Sequence, residues 1–169
     1  MGADISIIVE HRMVSDAYQK RVWQWGLVEA QFAFHRDGDL DTWICDALPE
    51  KRDGDTEQAL VENFWGHRYA DGEKRKARAV WLPPDTGPTT LKLLAEEAFD
   101  AYWIRVASGQ WLVDFVANKP WQTTSSGPTH EFEPNPKYGA PESFVRLAAL
   151  VSSLLALKHD VRVYLSYGQ

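Results

Sequence analysis

Both ends of this chain alternate like strands that belong inside a sheet, and no other feature constrains the fold as much. Near the start, Ala3-Asp4-Ile5-Ser6-Ile7-Ile8-Val9-Glu10 sets Ile5, Ile7 and Val9 two residues apart. Near the end, Asp160-Val161-Arg162-Val163-Tyr164-Leu165-Ser166-Tyr167 does the same with Val161, Val163 and Leu165. Side chains two apart share one face of a strand, and Ile and Val fit a pleated, half-buried surface, so each segment can bury a face. A chain that begins and ends in core strands folds as one closed unit. Its 169 residues suffice for one domain with a core and are too few for two, so residues 1–169 are expected to form a single globular domain.

Between the ends, a turn is expected at Ser15-Asp16-Ala17, followed by an extended run from Arg21 to about Phe34 that pairs with the first strand as a hairpin. His35 to Asp39 closes that run with an Asp-Gly turn, and Leu40 to Leu48 is a short helix, with Trp43, Ile44 and Ala47 on one side, stopped by Pro49. Thr56 to about Trp65 has the spacing of an amphipathic helix with Ala59, Leu60 and Phe64 inward. Ala77 to Leu82 is a strand ended by Pro83-Pro84, and Thr89 or Thr90 can cap the helix that carries Leu91, Leu94, Ala95, Ala98 and Tyr102. Alternation of Tyr102, Ile104 and Val106, then of Trp111, Val113 and Phe115 across Ser108-Gly109, predicts a β-hairpin. Asn118 to Ala140 holds Pro120, Pro128, Pro134 and Pro136 and keeps no period; it is expected to be a long irregular loop, a kind of segment that often carries function. Pro141 to Lys158 is a helix, with Phe144, Leu147, Ala148, Val151 and Leu155 in one stripe. The expected fold class is therefore α+β, a mostly antiparallel sheet including both terminal strands, with a long C-terminal helix packed on one face.

Charge and composition remove several function classes. A net charge of −6 argues against general nucleic-acid binding, which needs a basic surface. Cys45 is the only cysteine, so neither an internal disulfide nor a cysteine-based zinc site can form. The five histidines, His11, His35, His67, His130 and His159, show no helical ligand spacing, and no metal or other cofactor is expected. Asp37-Gly38-Asp39-Leu40-Asp41 begins like a calcium loop but has Thr42 and Leu48 where that loop needs its glycine and its bidentate glutamate. Neither a nucleophile elbow, a phosphate-binding glycine loop nor a dinucleotide fingerprint is present, so nothing supports an enzyme. The absence of a long apolar run or a basic-then-apolar start makes a cytoplasmic location the expectation, with no membrane association.

Aromatic residues are abundant: eight Trp, six Tyr and seven Phe. Most large rings fill cores, but two or three tryptophans lining a pocket would suit a flat ligand. Lys74, Lys76 and Arg78 are most simply a solvated loop running into a strand; the alternative is an anion-contacting edge, since their alternation would put the side chains on one face. Thr123-Thr124-Ser125-Ser126-Gly127 offers hydroxyls and backbone N–H groups that suit phosphate.

Met1-Gly2-Ala3-Asp4-Ile5 and the closing Asp160-Val161-Arg162-Val163-Tyr164 resemble a family of small uncharacterised phage proteins that begin Met-Gly-Cys-Asp-Ile-His and close on a similar Val-Arg strand. Ala3 and Ser6 stand here in place of that Cys and His, so no role of that His carries over. The resemblance implies a phage accessory protein, and by analogy of class an anti-defence protein. The expected function is to bind and sequester a nucleotide-derived signalling molecule without catalysis, in the host cytoplasm. Trp121 and Phe132 are the candidates to stack a base, and Arg78, Arg162, Thr124 and Ser125 those to hold phosphate. Arg162 projects opposite to Val161 and Val163, and a rigid strand arginine is as readily paired with a carboxylate at the core edge. Two alternatives stay open: a protein–protein inhibitor whose acidic surface engages a host defence effector or nuclease, and a small phosphodiesterase-like enzyme. Self-association into a homo-oligomer is left open too.

Overall fold

The computed structural model describes residues 3–14, 23–35, 38–61, 77–97, 101–118 and 140–168. It is α+β, with antiparallel sheets that include both terminal strands. In the larger sheet, of order β2-β1-β6-β5, strands β1 (Ala3–Arg12) and β6 (Asp160–Gly168) pair along their length from Asp4↔Gly168 to Arg12↔Asp160. β2 (Gly26–His35) flanks β1 as the expected hairpin partner, and β5 (Ala101–Ser108) flanks β6. The chain ends are thus the two inner strands, where alternating Ile, Val and Leu are best accommodated.

Alternation accounts for one face only; both faces are covered. Ile5, Ile7, Val9, Val161, Val163 and Leu165 pack under α1 (Gly38–Ala47), α3 (Gly109–Asn118) and α4 (Ala140–Ala156), through Ile44, Leu112, Phe115, Phe144, Leu147 and Val151. Ile8, Ile104, Val106 and Tyr164 face the other way, onto α2 (Pro88–Glu97) and a two-stranded sheet of β3 (Thr56–Val61) and β4 (Ala77–Leu82). The inner strands therefore bury residues of both parities, Ser6, Glu10 and Ser166 included. Each fully buried Ile or Leu here contributes about 1.5–3 kcal/mol of transfer free energy.

Several segments fold otherwise than their patterns suggest. Thr56–Trp65 was expected as a helix, but Thr56–Val61 is strand β3, paired with β4 from Thr56↔Leu82 to Val61↔Ala77. Glu57, Gln58, Ala59 and Leu60 favour helix locally, yet a short helix is marginal alone. Pairing with β4 satisfies the backbone and sets Leu60 beside Val80 and Leu82 in the core. Nor is there a hairpin over 102–115: β5 is followed directly by helix α3. Ser108 caps it, its Oγ accepting from the Trp111 N–H at 3.2 Å. At Gly109 a Cβ would meet Val161 Cβ at 2.7 Å, so only glycine lets the helix begin this close to β6.

Other boundaries shift. β2 begins at Gly26 rather than Arg21, α1 already starts at Gly38 inside the expected turn, and Tyr102, which fits both the helical stripe and the alternating run after it, belongs to strand β5. Helix α2 is capped at Gly87, whose carbonyl accepts from Leu91 N–H at 2.9 Å, with Pro88 as the first helical residue; neither Thr89 nor Thr90 is the cap. The closing helix is shorter than expected, ending at Ala156, and its described core contacts begin at Phe144. Lys158 then takes a left-handed conformation (φ 64°), while Lys158 N–H and His159 N–H donate to the Leu155 and Leu154 carbonyls. The turn at 15–17 and the loop between Asn118 and Ala140 lie outside the described residues. Among those described, no helix is long and apolar enough to cross a membrane.

Candidate functional site

Two arrangements stand out, one on each face of the larger sheet. On the face shared with α2, Glu10 and Arg162 are direct cross-strand partners. Glu10 is wholly buried and accepts three hydrogen bonds, from Gly87 N–H (2.7 Å), Tyr164 Oη–H (2.7 Å) and Arg162 Nη2 (3.1 Å). Gly87 permits the first: a Cβ there would lie 2.7 Å from both Glu10 Oε1 and the Trp25 carbonyl oxygen. A carboxylate at the start of α2 is also favoured by the helix dipole. Burial first, and then the charge of Glu10, push the Tyr164 phenol well up, so it stays a neutral donor.

The network continues outward. Arg162 Nη1 donates to Asp85 Oδ1 at 2.6 Å, Trp25 Nε1 donates to Asp85 Oδ2 at 2.9 Å, and the Arg162 guanidinium lies 3.6 Å from the centre of the Trp25 ring. Burial works to raise the Asp85 carboxyl, but the hydrogen bonds from Arg162 and Trp25 and the Arg162 charge outweigh it and hold the group below its ordinary range. Arg12 pairs with Asp160 at 2.8 Å and also overlies Trp25 at 4.8 Å. Three carboxylates thus face two guanidiniums, and the cluster ties β1, β6, Trp25 and the β4–α2 turn together. On the other side of β1, His11 and His159 stack with ring centroids 5.0 Å apart and Nδ1 atoms at 2.8 Å. Burial, and then His159, lower the His11 pKa. Among the described residues no group of three or more His, Cys, Asp or Glu side chains is arranged to hold a metal ion.

The second arrangement is a groove of about 410 Å³ between α1 and α3, lined by Trp43, Asp46, Ala47, Trp111, Asp114, Phe115 and Asn118. Spacing explains its composition. Trp43, Asp46 and Ala47 follow i, i+3, i+4 on α1, and Trp111, Asp114, Phe115 and Asn118 follow i, i+3, i+4, i+7 on α3, so each helix gives one face. Ile44 and Leu112 turn into the core and anchor both helices, which leaves the two tryptophans half-buried against it. Trp111 and Phe115 stack at 4.8 Å with 27° between their planes. Asp46 and Asp114 are exposed carboxylates at the rim, and Asp114 Oδ1 accepts from Gln110 Nε2 at 2.9 Å. Flat aromatic walls, a hydrogen-bonding rim and this volume are what a small planar ligand requires.

The residues expected to form a site fall in different places. Arg162 is the inner-sheet arginine described above, engaged by Glu10 and Asp85 as a core-edge pair. Arg78, on β4, donates from Nη1 to the Ala101 carbonyl and from Nη2 to the Tyr102 carbonyl at 3.1 Å. Since Ala101 is opposite Gly168, six residues along β6 from Arg162, the two arginines are at opposite ends of the sheet, about 20 Å apart. Both belong to the face away from the groove. Trp121, Phe132, Thr124 and Ser125 lie outside the described residues. The groove was not legible because Trp111-Leu112-Val113-Asp114-Phe115 alternates as well as it turns; reading 111–118 as helix would have set Asp114 and Asn118 beside the rings. The chain matches no protein family, no curated protein and no solved structure with which it was compared.

Proposed function

We propose that this protein captures a nucleotide-derived small molecule in the α1–α3 groove and releases it unchanged, as a phage-type accessory protein that withholds a signalling molecule from host defence. The observation that carries this reading is the groove itself, where Trp43 and Trp111, half-buried, stand beside acceptors at Asp46 and Asp114 and above Phe115 in the core. Capture needs affinity and no chemistry, in keeping with a sequence that holds no catalytic motif. The ring is the recognised part in this reading, and its phosphates are not held by Arg78 or Arg162.

A thermal-shift screen against cyclic dinucleotides, cyclic trinucleotides and ADP-ribose derivatives tests the proposal. A ligand at a hundredfold over its Kd stabilises by about 2.7 kcal/mol, roughly 5–11 °C for a domain of this size. The shift should vanish in Trp111→Ala, and intact ligand should be recovered after denaturation. A hydrolysed product would turn the reading to a phosphodiesterase. The acidic rim favours one other reading, an inhibitor that seats a basic side chain of a host effector; no shift with any nucleotide, together with a stable complex lost in Trp111→Ala, would select it.

A further inference from the structure

We infer that the α1–α3 groove recognises a guanine-type base, by pairing the carboxylate of Asp46 with two adjacent N–H donors on the ring edge; this rests on the groove being the ligand site. The argument is one of donor and acceptor matching. A carboxylate only accepts, and with two oxygens in a plane it suits two parallel donors. Among the common bases, guanine alone sets two donors side by side, its N1–H and N2–H₂, on its pairing edge. Adenine and cytosine each offer one amino group next to an acceptor nitrogen, and uracil offers one N–H between two carbonyls. Each of these would press a lone pair against the carboxylate.

The groove assigns the roles. Asp46, three residues along the helix from Trp43, extends from the same face of α1 as that ring. Among the described residues it has no hydrogen-bond or ion-pair partner, so both its oxygens are available. Asp114 has one oxygen held by Gln110, which leaves it a flanking acceptor. Among the described residues no lysine or arginine lines the groove, so those that do line its rim present acceptors. A base packed against Trp111 with its donor edge toward Asp46 satisfies the apolar wall and the acidic rim together.

Calorimetric titration of the full-length protein with GMP, IMP, AMP and CMP tests this, since the four carry the same phosphate and differ in the base. GMP should bind about tenfold more tightly than AMP or CMP, at the lower end of what one bidentate pair discriminates because the rim is open to water. IMP, which lacks the N2 amino group, should lose most of that advantage. Asp46→Asn should abolish the preference by weakening GMP while leaving AMP unchanged, and Asp114→Asn should keep it. Equal affinity for GMP and AMP, or a preference that survives Asp46→Asn, overturns the guanine assignment while leaving nucleotide capture standing. Binding of none of the four, with tight binding of N-acetylarginine amide, overturns both and assigns the groove to a guanidinium.

Discussion

Truncating Glu10 to Ala is the sharpest test of what holds this fold together. Three buried donors, Gly87 N–H, Tyr164 Oη–H and Arg162 Nη2, lose their acceptor at once. Removing one partner of a buried ion pair costs about 3–5 kcal/mol, mainly because the other charge is stranded. Here Arg162 keeps Asp85 Oδ1 at 2.6 Å and Tyr164 keeps Thr86 Oγ1 at 3.0 Å, so only the Gly87 N–H is orphaned outright. The loss should therefore fall at the low end, about 3 kcal/mol, or roughly 6–12 °C in Tm for a domain of this length. Urea unfolding at pH 7 measures it, with Glu50→Ala, an exposed carboxylate, as a control expected within about 0.5 kcal/mol of wild type. Arg162→Ala should then cost less in the Glu10→Ala background than alone, because the two share one interaction. A Glu10→Ala loss below about 1 kcal/mol would refute the reasoning, since a buried carboxylate with three donors cannot be that dispensable.

Three further outcomes are expected. The folded-state pKa of His11 is below its unfolded value of 6.5, so its contribution is intact above that pH and is lost as pH falls through 6.5 toward the folded value; the urea midpoint should drop between pH 7.5 and 5.5, and His11→Gln should flatten that drop. Lys158→Gly should stabilise the protein by up to about 1 kcal/mol by relieving a left-handed conformation at a residue with a Cβ, and an unchanged or lower Tm would count against that cap. Deleting residues 162–169 removes most of the strand between β1 and β5, so cooperative thermal unfolding should disappear; a truncated protein that melts like the full chain would mean β6 is not central.

The sequence determined that both ends are strands of one sheet, because alternating Ile, Val and Leu at residues 5–9 and 161–165 can satisfy only a pleated, buried position. It also determined β4, whose end Pro83 enforces, and the existence of the closing helix, whose apolar stripe runs through Phe144, Leu147 and Val151. Tertiary structure alone decided the rest. Thr56–Val61 has helix-forming residues, and only the presence of β4 to pair with makes it a strand. Trp111–Phe115 fits either period until Ser108 caps it and Gly109 lets it pack against Val161. Glu10 and Arg162 are 152 residues apart, and His11 and His159 are 148 apart. No local pattern could announce either pair, because each exists only once β1 lies antiparallel to β6. The groove depends on the same closure: Trp43 and Trp111 become neighbours only when Ile44 and Leu112 bury in one core. Local periodicity fixes which way a side chain can face, and only the packing of distant segments fixes what it meets there.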